Sequence, residues 1–241
     1  MKILLTGVTG YIGKRLLPNL LEEGHEIVCL VRDPRRFNEN YRNEKKITII
    51  QADLLNRESL EVIPQNIDIA YYFVHSMGSS SSGFSALETE SAENFVSAIN
   101  ATKTKQIIYL SGIINNDNTL SKHLSSRLNV EKILTGANAK TTILRAAIII
   151  GSGSGSFEII RDLAEKLPIM ITPKWLKTKC QPIAVKNVIE YLIGVISKEE
   201  AYDRIFDIGG PDILTYKEMI EAYAKIRGLG RLIITVPVLT P

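Results

Sequence analysis

Three glycines at fixed spacing, Gly7, Gly10 and Gly13, constrain this chain more than any other feature. They stand in Thr6-Gly7-Val8-Thr9-Gly10-Tyr11-Ile12-Gly13. The apolar run Lys2 to Thr6 precedes them, and Tyr11 to Glu23, with apolar residues at helical spacing, follows. Gly7 allows the tight turn from strand to helix, Gly10 lets backbone approach a bound group, and Gly13 lets helix and strand pack closely. The helix start offers unpaired N–H groups and the positive end of its dipole, which together suit a pyrophosphate. Thr9, Tyr11 and Ile12 lie between the glycines and are expected at the same ligand.

The rest of the chain repeats the strand-then-helix rhythm. Continuous apolar runs occur at Glu26 to Val31, Ile47 to Gln51, Ile69 to Val74, Gln106 to Ser111 and Thr142 to Ile150. Runs without polar alternation indicate strands covered on both faces, hence a parallel sheet. Helical spacing at Glu88 to Thr102 and Ser125 to Leu134 supplies the crossovers. The expected fold is α/β, a Rossmann-type doubly wound parallel sheet over residues 1–150. Pro18 falls inside the first helix and is expected to bend it. From 151 to 241 the pattern loosens. Helical stretches at 157–167, Lys186 to Ile196 and Thr215 to Ile226, with strands at Arg204 to Ile208 and Leu232 to Val236, look too few for a core of their own. They are expected to form a small C-terminal lobe on the substrate side of the sheet.

The sheet order of such a fold sets what lies near the phosphate loop. The second run ends in Arg32 and Asp33. An arginine here pairs with the 2′-phosphate of NADP, whereas an acidic residue accepts from the free 2′-hydroxyl of NAD. Arg32 directly follows the apolar run and favours NADP(H) over NAD(H). Asp33 is the competing reading, although Asp33-Pro34 also looks like a turn or helix cap. Arg35 and Arg36 could support a phosphate or remain solvated. Asp53 and Leu54 follow the third strand, where an Asp can accept from the adenine amino group or cap a turn. His75 and Ser76 end the fourth run and are expected to line the cofactor, with Ser79 to Ser82 as a loop over it.

Bulk properties narrow the class. The net charge of +3 is spread along 241 residues without a basic stripe, so nucleic acid is not an expected partner. The two cysteines, Cys29 and Cys180, give neither metal spacing nor a disulfide framework, which suits the cytoplasm. No apolar stretch is long enough to span a membrane. The expected partner is a small-molecule substrate, with a homodimer open as an assembly. The ending at Thr240-Pro241 suggests a part of something longer.

Several stretches together carry a family resemblance. These are Thr6 to Gly13, Ala52-Asp53-Leu54, Tyr109-Leu110-Ser111-Gly112, Leu144-Arg145, Gln181-Pro182-Ile183-Ala184-Val185 and Asp207-Ile208-Gly209-Gly210-Pro211. The chain resembles the short-chain dehydrogenase/reductase superfamily, in particular its extended and atypical members. Those include NmrA-like and NAD-dependent epimerase/dehydratase-like proteins, some with a further C-terminal domain. The resemblance implies a catalytic Ser, Tyr and Lys, the Lys four residues after the Tyr. Ser111 matches the Ser. At the matching helix His123 stands for Tyr and Arg127 for Lys. His can act as acid or base near neutral pH, while Arg127 stays charged and cannot shuttle a proton. Arg127 could instead hold cofactor or pair with a carboxylate such as Glu131. Three functions stay open: an NADP-dependent oxidoreductase with a Ser-His-Arg set, a non-catalytic NADP(H)-sensing module, and a quinone-reductase-like member.

Overall fold

The computed structural model describes residues 1–74, 84–114 and 122–236. The strands of its main sheet come largely from the apolar runs. They are β1 (Lys2–Thr6), β2 (Glu26–Val31), β3 (Ile47–Gln51), β4 (Ile69–Tyr72), β5 (Gln106–Gly112) and β6 (Lys140–Ala146). Shorter pieces follow: β7 (Ile149–Ile150), β8 (Ile169–Thr172), β9 (Lys179–Cys180), β10 (Ile183–Ala184), β11 (Arg204–Ile208), β12 (Leu214–Thr215) and β13 (Leu232–Thr235). The helices are α1 (Tyr11–Glu22), α2 (Phe84–Asn100), α3 (Lys122–Thr135), α4 (Gly155–Lys166), α5 (Val185–Gly194) and α6 (Tyr216–Ile226). Helix α1 runs through Pro18.

Seven strands form one sheet in the order β11-β6-β5-β4-β1-β2-β3. Strand β1 pairs in parallel with β2 and β4, β2 with β3, and β4 with β5. The chain winds outward from β1 to β3, then returns to β4 on the other side of β1. The order therefore reverses between β1 and β4, where a doubly wound sheet opens a crevice at its C-terminal strand ends. Ile3, Leu4, Leu5, Val28, Ile107 and Tyr109 are wholly buried, as strands covered on both faces must be. Tyr72 packs its ring against Phe95 of α2 at 4.9 Å and against Tyr109 at 5.9 Å. Cys29 lies in the same interior, where burial pushes its thiol up to about 12. It is a packing residue rather than a nucleophile.

Strand ends depart from the apolar runs for local reasons. Strand β4 stops at Tyr72 instead of Val74. Thr6 Oγ1 donates to the Tyr71 carbonyl at 2.9 Å and accepts from the Phe73 N–H at 3.1 Å, so a side chain replaces the ladder there. The run Thr142 to Ile150 is cut in two, because Ile149 and Ile150 leave the sheet to pair with Ile183 and Ala184.

The chain divides into two compact units, one comprising Met1–Arg145 with Ile189–Asp207, the other Ala146–Val188 with the chain from Ile208 on. Strand β11 therefore serves the main sheet beside β6. A buried polar network fixes this return to the first unit. Gln106 Nε2 donates to Thr142 Oγ1 and to the Val195 carbonyl, both at 2.9 Å, and its Oε1 accepts from the Ser197 N–H at 2.8 Å. Thr142 Oγ1 passes the chain on to the Ala201 carbonyl at 2.8 Å, and the Tyr71 hydroxyl donates to the Leu192 carbonyl at 2.8 Å. The second unit has its own small core, in which Ile160 and Ala164 of α4 meet Met170, Leu176, Met219, Ile220 and Ile233. Its pieces, which look too few in the sequence, close a core because α4 and α6 each turn an apolar stripe toward β8 and β13. Among the described residues no helix is long and apolar enough to cross a membrane.

Gln106→Leu removes the buried side-chain amide that joins Thr142 Oγ1, the Val195 carbonyl and the Ser197 N–H, although the Val195 carbonyl keeps the Lys198 N–H at 3.3 Å. It is expected to lower the unfolding free energy by about 1–3 kcal/mol, and Tyr71→Phe by about 1–2 kcal/mol. Urea titration measures both, and a Gln106→Leu midpoint equal to the parent's would show that the network carries no stability.

Candidate cofactor cleft

The loop after β1 is held by contact of backbone on backbone. Gly7 takes a φ of +66°, a region that L side chains rarely adopt. A Cβ there would lie 2.4 Å from the Phe73 carbonyl oxygen, across the β1–β4 reversal. A Cβ on Gly13 would meet the Gly7 carbonyl oxygen at 2.4 Å and Val8 Cα at 2.7 Å. The Gly10 N–H closes the turn onto the Gly7 carbonyl at 2.9 Å.

Helix α1 begins immediately after Gly10, which caps it without any side-chain hydrogen bond. Its first turn holds no acidic residue. The N–H groups and positive dipole end at this terminus therefore have no internal counter-charge, unlike helix α6, where Thr215 and Glu218 form a capping box. On the flank of α1 the Arg15 guanidinium stacks on the Tyr11 ring at 3.9 Å and donates to the Tyr11 carbonyl at 3.1 Å.

An open cleft of about 470 Å³ runs from this loop over the ends of β1, β2 and β4. Gly7, Thr9 and Gly10 form one end. Arg32, Asp33 and Arg36 line it after β2, and Asp53 and Leu54 after β3. Tyr11, Ile12 and Gly13 lie in the first turn of α1 and do not line it; Gly13 acts through its contact with Gly7. His75, Ser76 and the Ser79 to Ser82 stretch lie outside the described residues. Phe73, Val74, Leu87 and Ser91 also line the cleft. Leu87 and Ser91 are one helical turn apart on α2 and share its face. A leucine and a serine in an ordinary helix give no sequence signal, which is why they were not among the expected residues.

The charges after β2 sort themselves. Asp33 caps the short turn Pro34–Arg36 by accepting from the Arg35 N–H at 3.0 Å. The Arg35 guanidinium holds both Asp33 oxygens, at 2.9 and 3.1 Å. These hydrogen bonds keep the Asp33 carboxyl below its usual range. Asp33 and Arg35 thus spend their charges on each other, and Arg32 and Arg36 remain as cationic cleft residues. Asp53 Oδ1 accepts from the Leu55 N–H at 3.1 Å, so this carboxylate caps a turn while also lining the cleft.

The candidate catalytic residues gather at the end of β5. Ser111 is buried, on the same strand face as Tyr109. Arg127 of α3 brings Nη1 to 3.5 Å from where a Cβ on Gly112 would stand, which places the guanidinium beside the strand end. His123 lies one turn earlier on α3; its side chain is outside the described residues. Glu131, a carboxylate considered for Arg127, is instead held by Arg145, with Nε at 3.0 Å and Nη2 at 2.5 Å. The preference is geometric, since the Arg145 fork meets both oxygens at once. Buried Ser126 hydrogen-bonds to the buried Glu88 carboxylate. Burial pushes the Tyr109 phenol well above its ordinary value, with Arg127 acting in the opposite direction. Tyr109 lies within β5 and is wholly buried, so it does not occupy the helix position of the missing tyrosine. A Tyr-x-x-x-Lys spacing does occur at Tyr41 and Lys45, but it lies in the connection between β2 and β3 and forms only a short turn, Glu39–Tyr41. Among the described residues no cluster of His, Cys, Asp or Glu could hold a metal ion.

The sequence profile of a family described as NAD(P)H-binding matches residues 7–167. The chain is 24% identical over 224 residues to the mitochondrial NADH-ubiquinone oxidoreductase 40 kDa subunit of Neurospora crassa, covering 89% of this chain and 57% of that protein. It is 22% identical to the photosystem II assembly factor Ycf39 of Synechocystis, covering 98% and 71%. The fold matches a nucleoside-diphosphate-sugar epimerase from Staphylococcus aureus with a TM-score of 0.80 and 18% identity, covering 99% and 81%. It matches an Agrobacterium tumefaciens short-chain dehydrogenase/reductase superfamily protein with bound NAD at 0.77 and 13%, covering 98% and 85%.

The two glycines with positive φ at the ends of α1 separate strain from collision. Gly24 has a φ of +86° and nothing within 4 Å of its Cβ position, so Gly24→Ala is expected to cost only about 1 kcal/mol. Gly7→Ala adds the Phe73 collision and is expected to cost at least about 3 kcal/mol. Equal losses in thermal or urea unfolding would show that the β1–β4 approach is loose.

Proposed function

Since this chain belongs to the NAD(P)H-binding family, we propose that it takes the cofactor into the cleft at the β1–β4 reversal and prefers NADP(H) to NAD(H). The observation that carries the reading is the uncapped start of α1 beside Gly7 and Gly10. A pyrophosphate fits there because N–H groups and dipole face it while no side chain competes. The adenosine end would then reach Arg32, Arg36 and Asp53. The Asp33–Arg35 ion pair supports NADP(H), because the acidic residue that would select a free ribose hydroxyl is already engaged. Arg32 and Arg36 are left to hold a 2′-phosphate.

We further propose an oxidoreductase acting on a small molecule. When bound, the nicotinamide supplies or takes up the hydride. In this chain Ser111 would hydrogen-bond the reacting oxygen at the end of β5, and Arg127 would orient it or offset its developing negative charge. His123, a turn before Arg127, would exchange the accompanying proton. The two free cysteines support a reducing compartment, the cytoplasm. A second reading is a non-catalytic NADP(H)-responsive module. The raised Tyr109 phenol and the Arg in place of Lys favour it, and one relative is described as an assembly factor. A cofactor-oxidation screen across quinones, aldehydes and sugar nucleotides decides between them: turnover supports the enzyme, and tight binding with no turnover supports the module.

Calorimetry is expected to show NADPH binding at least about tenfold tighter than NADH, or about 1.4 kcal/mol. Arg32→Ala should remove most of that difference and leave NADH affinity nearly unchanged; equal affinities in the parent would refute the preference. Arg127→Ala should weaken cofactor binding or turnover by about tenfold or more, and unchanged values would reduce Arg127 to a packing role.

A further inference from the structure

Helix α2 sets one hydroxyl into the cofactor cleft that the described protein does not use. Ser91 lines the cleft, yet only 4% of the residue is exposed. A helical serine or threonine often returns its hydroxyl to a carbonyl one turn back. Thr89 does so, donating to the Ser85 carbonyl at 2.8 Å and accepting from Asn129 Nδ2 at 2.8 Å. Ser97, further along the helix, accepts from the Arg57 guanidinium at 2.9 Å. The Ser91 hydroxyl makes no hydrogen bond to a described residue. Buried hydroxyls are nearly always bonded, because an unbonded one forfeits its hydration, so a group of this kind calls for an external partner.

Its neighbours show which end of the cleft it serves. Asn94 follows three residues later on the same helix face, and its Nδ2 donates to the Leu54 carbonyl at 2.9 Å. Ala92 and Phe95 join Ala52, Leu54 and Leu60 in one core. This part of α2 is thereby pinned along the segment after β3, and Ser91 stands on the Asp53–Leu54 side of the cleft. Asp53 Oδ1 accepts from the Leu55 N–H at 3.1 Å, while Oδ2 makes no hydrogen bond to a described residue. One spare carboxylate oxygen and one spare hydroxyl therefore line the same end.

An ionised carboxylate only accepts, whereas a hydroxyl can also donate. Adenine presents the matching pair, an amino group that donates beside ring nitrogens that accept. We propose that Ser91 reads the adenine of the cofactor, donating its hydroxyl to a ring nitrogen next to the amino group, while Asp53 accepts from the amino group itself. The proposal rests on the cofactor reading above and adds to it a residue that selects the base. Hypoxanthine carries a carbonyl in place of the amino group. That oxygen would face the Asp53 carboxylate, so the base could not seat against Ser91.

Calorimetry on the full chain and on Ser91→Ala tests this, with NADPH, its hypoxanthine analogue and adenosine 2′,5′-bisphosphate as probes. Ser91→Ala is expected to weaken NADPH and the bisphosphate alike, by about three- to tenfold, and the hypoxanthine analogue by less than about twofold. The melting temperature of the cofactor-free variant should equal or exceed the parent's, since the hydroxyl removed has no protein partner to lose. Unchanged NADPH affinity in the variant overturns the proposal and leaves the cofactor reading standing. An unchanged bisphosphate affinity overturns it by moving Ser91 to the nicotinamide half, and equal losses for both bases overturn it by moving Ser91 to the sugar. A lower melting temperature of the cofactor-free variant does the same, because the hydroxyl then serves the fold. A parent that binds none of the three probes overturns the cofactor reading along with it.

Discussion

The first unit is organised around one close approach, the backbone of Gly7 lying against the carbonyl of Phe73. That contact joins the end of β1 to the end of β4, the two central strands of the sheet. It fixes the direction in which the chain leaves β1, and so aims the start of α1 along the crevice. Gly13 transmits the constraint one turn further, since its lack of a side chain lets α1 rest on the Gly7 carbonyl. Any side chain at either position would push the helix start away from the cleft. The placement of the uncapped helix start is therefore a product of packing between backbones, and Arg32, Arg36 and Asp53 line the same cleft around it.

Electrostatics refine what packing begins. The connection after β2 carries Arg32, Asp33, Arg35 and Arg36, three cations and one anion within five residues. Pairing removes Asp33 and Arg35 from consideration and leaves a net positive lining. A similar exchange occurs at the end of β5, where Arg145 takes Glu131 and leaves the neighbourhood of Ser111 to Arg127. In both places, which arginine takes the carboxylate is decided by which neighbour forms the bidentate contact. The half-buried Arg145 pair gains more from that geometry than an exposed pair would.

Much of this was legible in the sequence, for identifiable reasons. Buried parallel strands need unbroken apolar runs, so β1, β2 and β3 carry the bounds that the runs predict. The glycine spacing was legible because a side chain at Gly7 or Gly13 would collide with backbone. The ends of strands were less legible. Thr6 closes β4 with its side chain, and nothing in Phe73-Val74 announces that. Sheet membership was illegible for β11, because an apolar run states that a strand exists but not which neighbour it pairs with. The polar network around Gln106 was equally hidden, since a buried glutamine looks like an exposed one until its partners, some 90 residues away, are in place. Leu87 and Ser91 reach the cleft only through the angle of α2, which no local pattern encodes.

The return of residues 189–207 to the first unit bears on how the chain reaches its native state. Gln106 meets Ser197 across 91 residues and Tyr71 meets Leu192 across 121. While only the first 150 residues have left the ribosome, strand β6 has an open edge, and the Tyr71 and Gln106 side chains lack their carbonyl and amide partners. The sheet is then a sticky intermediate whose completion waits for a segment made after most of the second unit. Contacts of such long sequence separation slow folding and prolong exposure of that edge. Cutting the gene near residue 150 would therefore yield an aggregation-prone half rather than a free-standing cofactor domain.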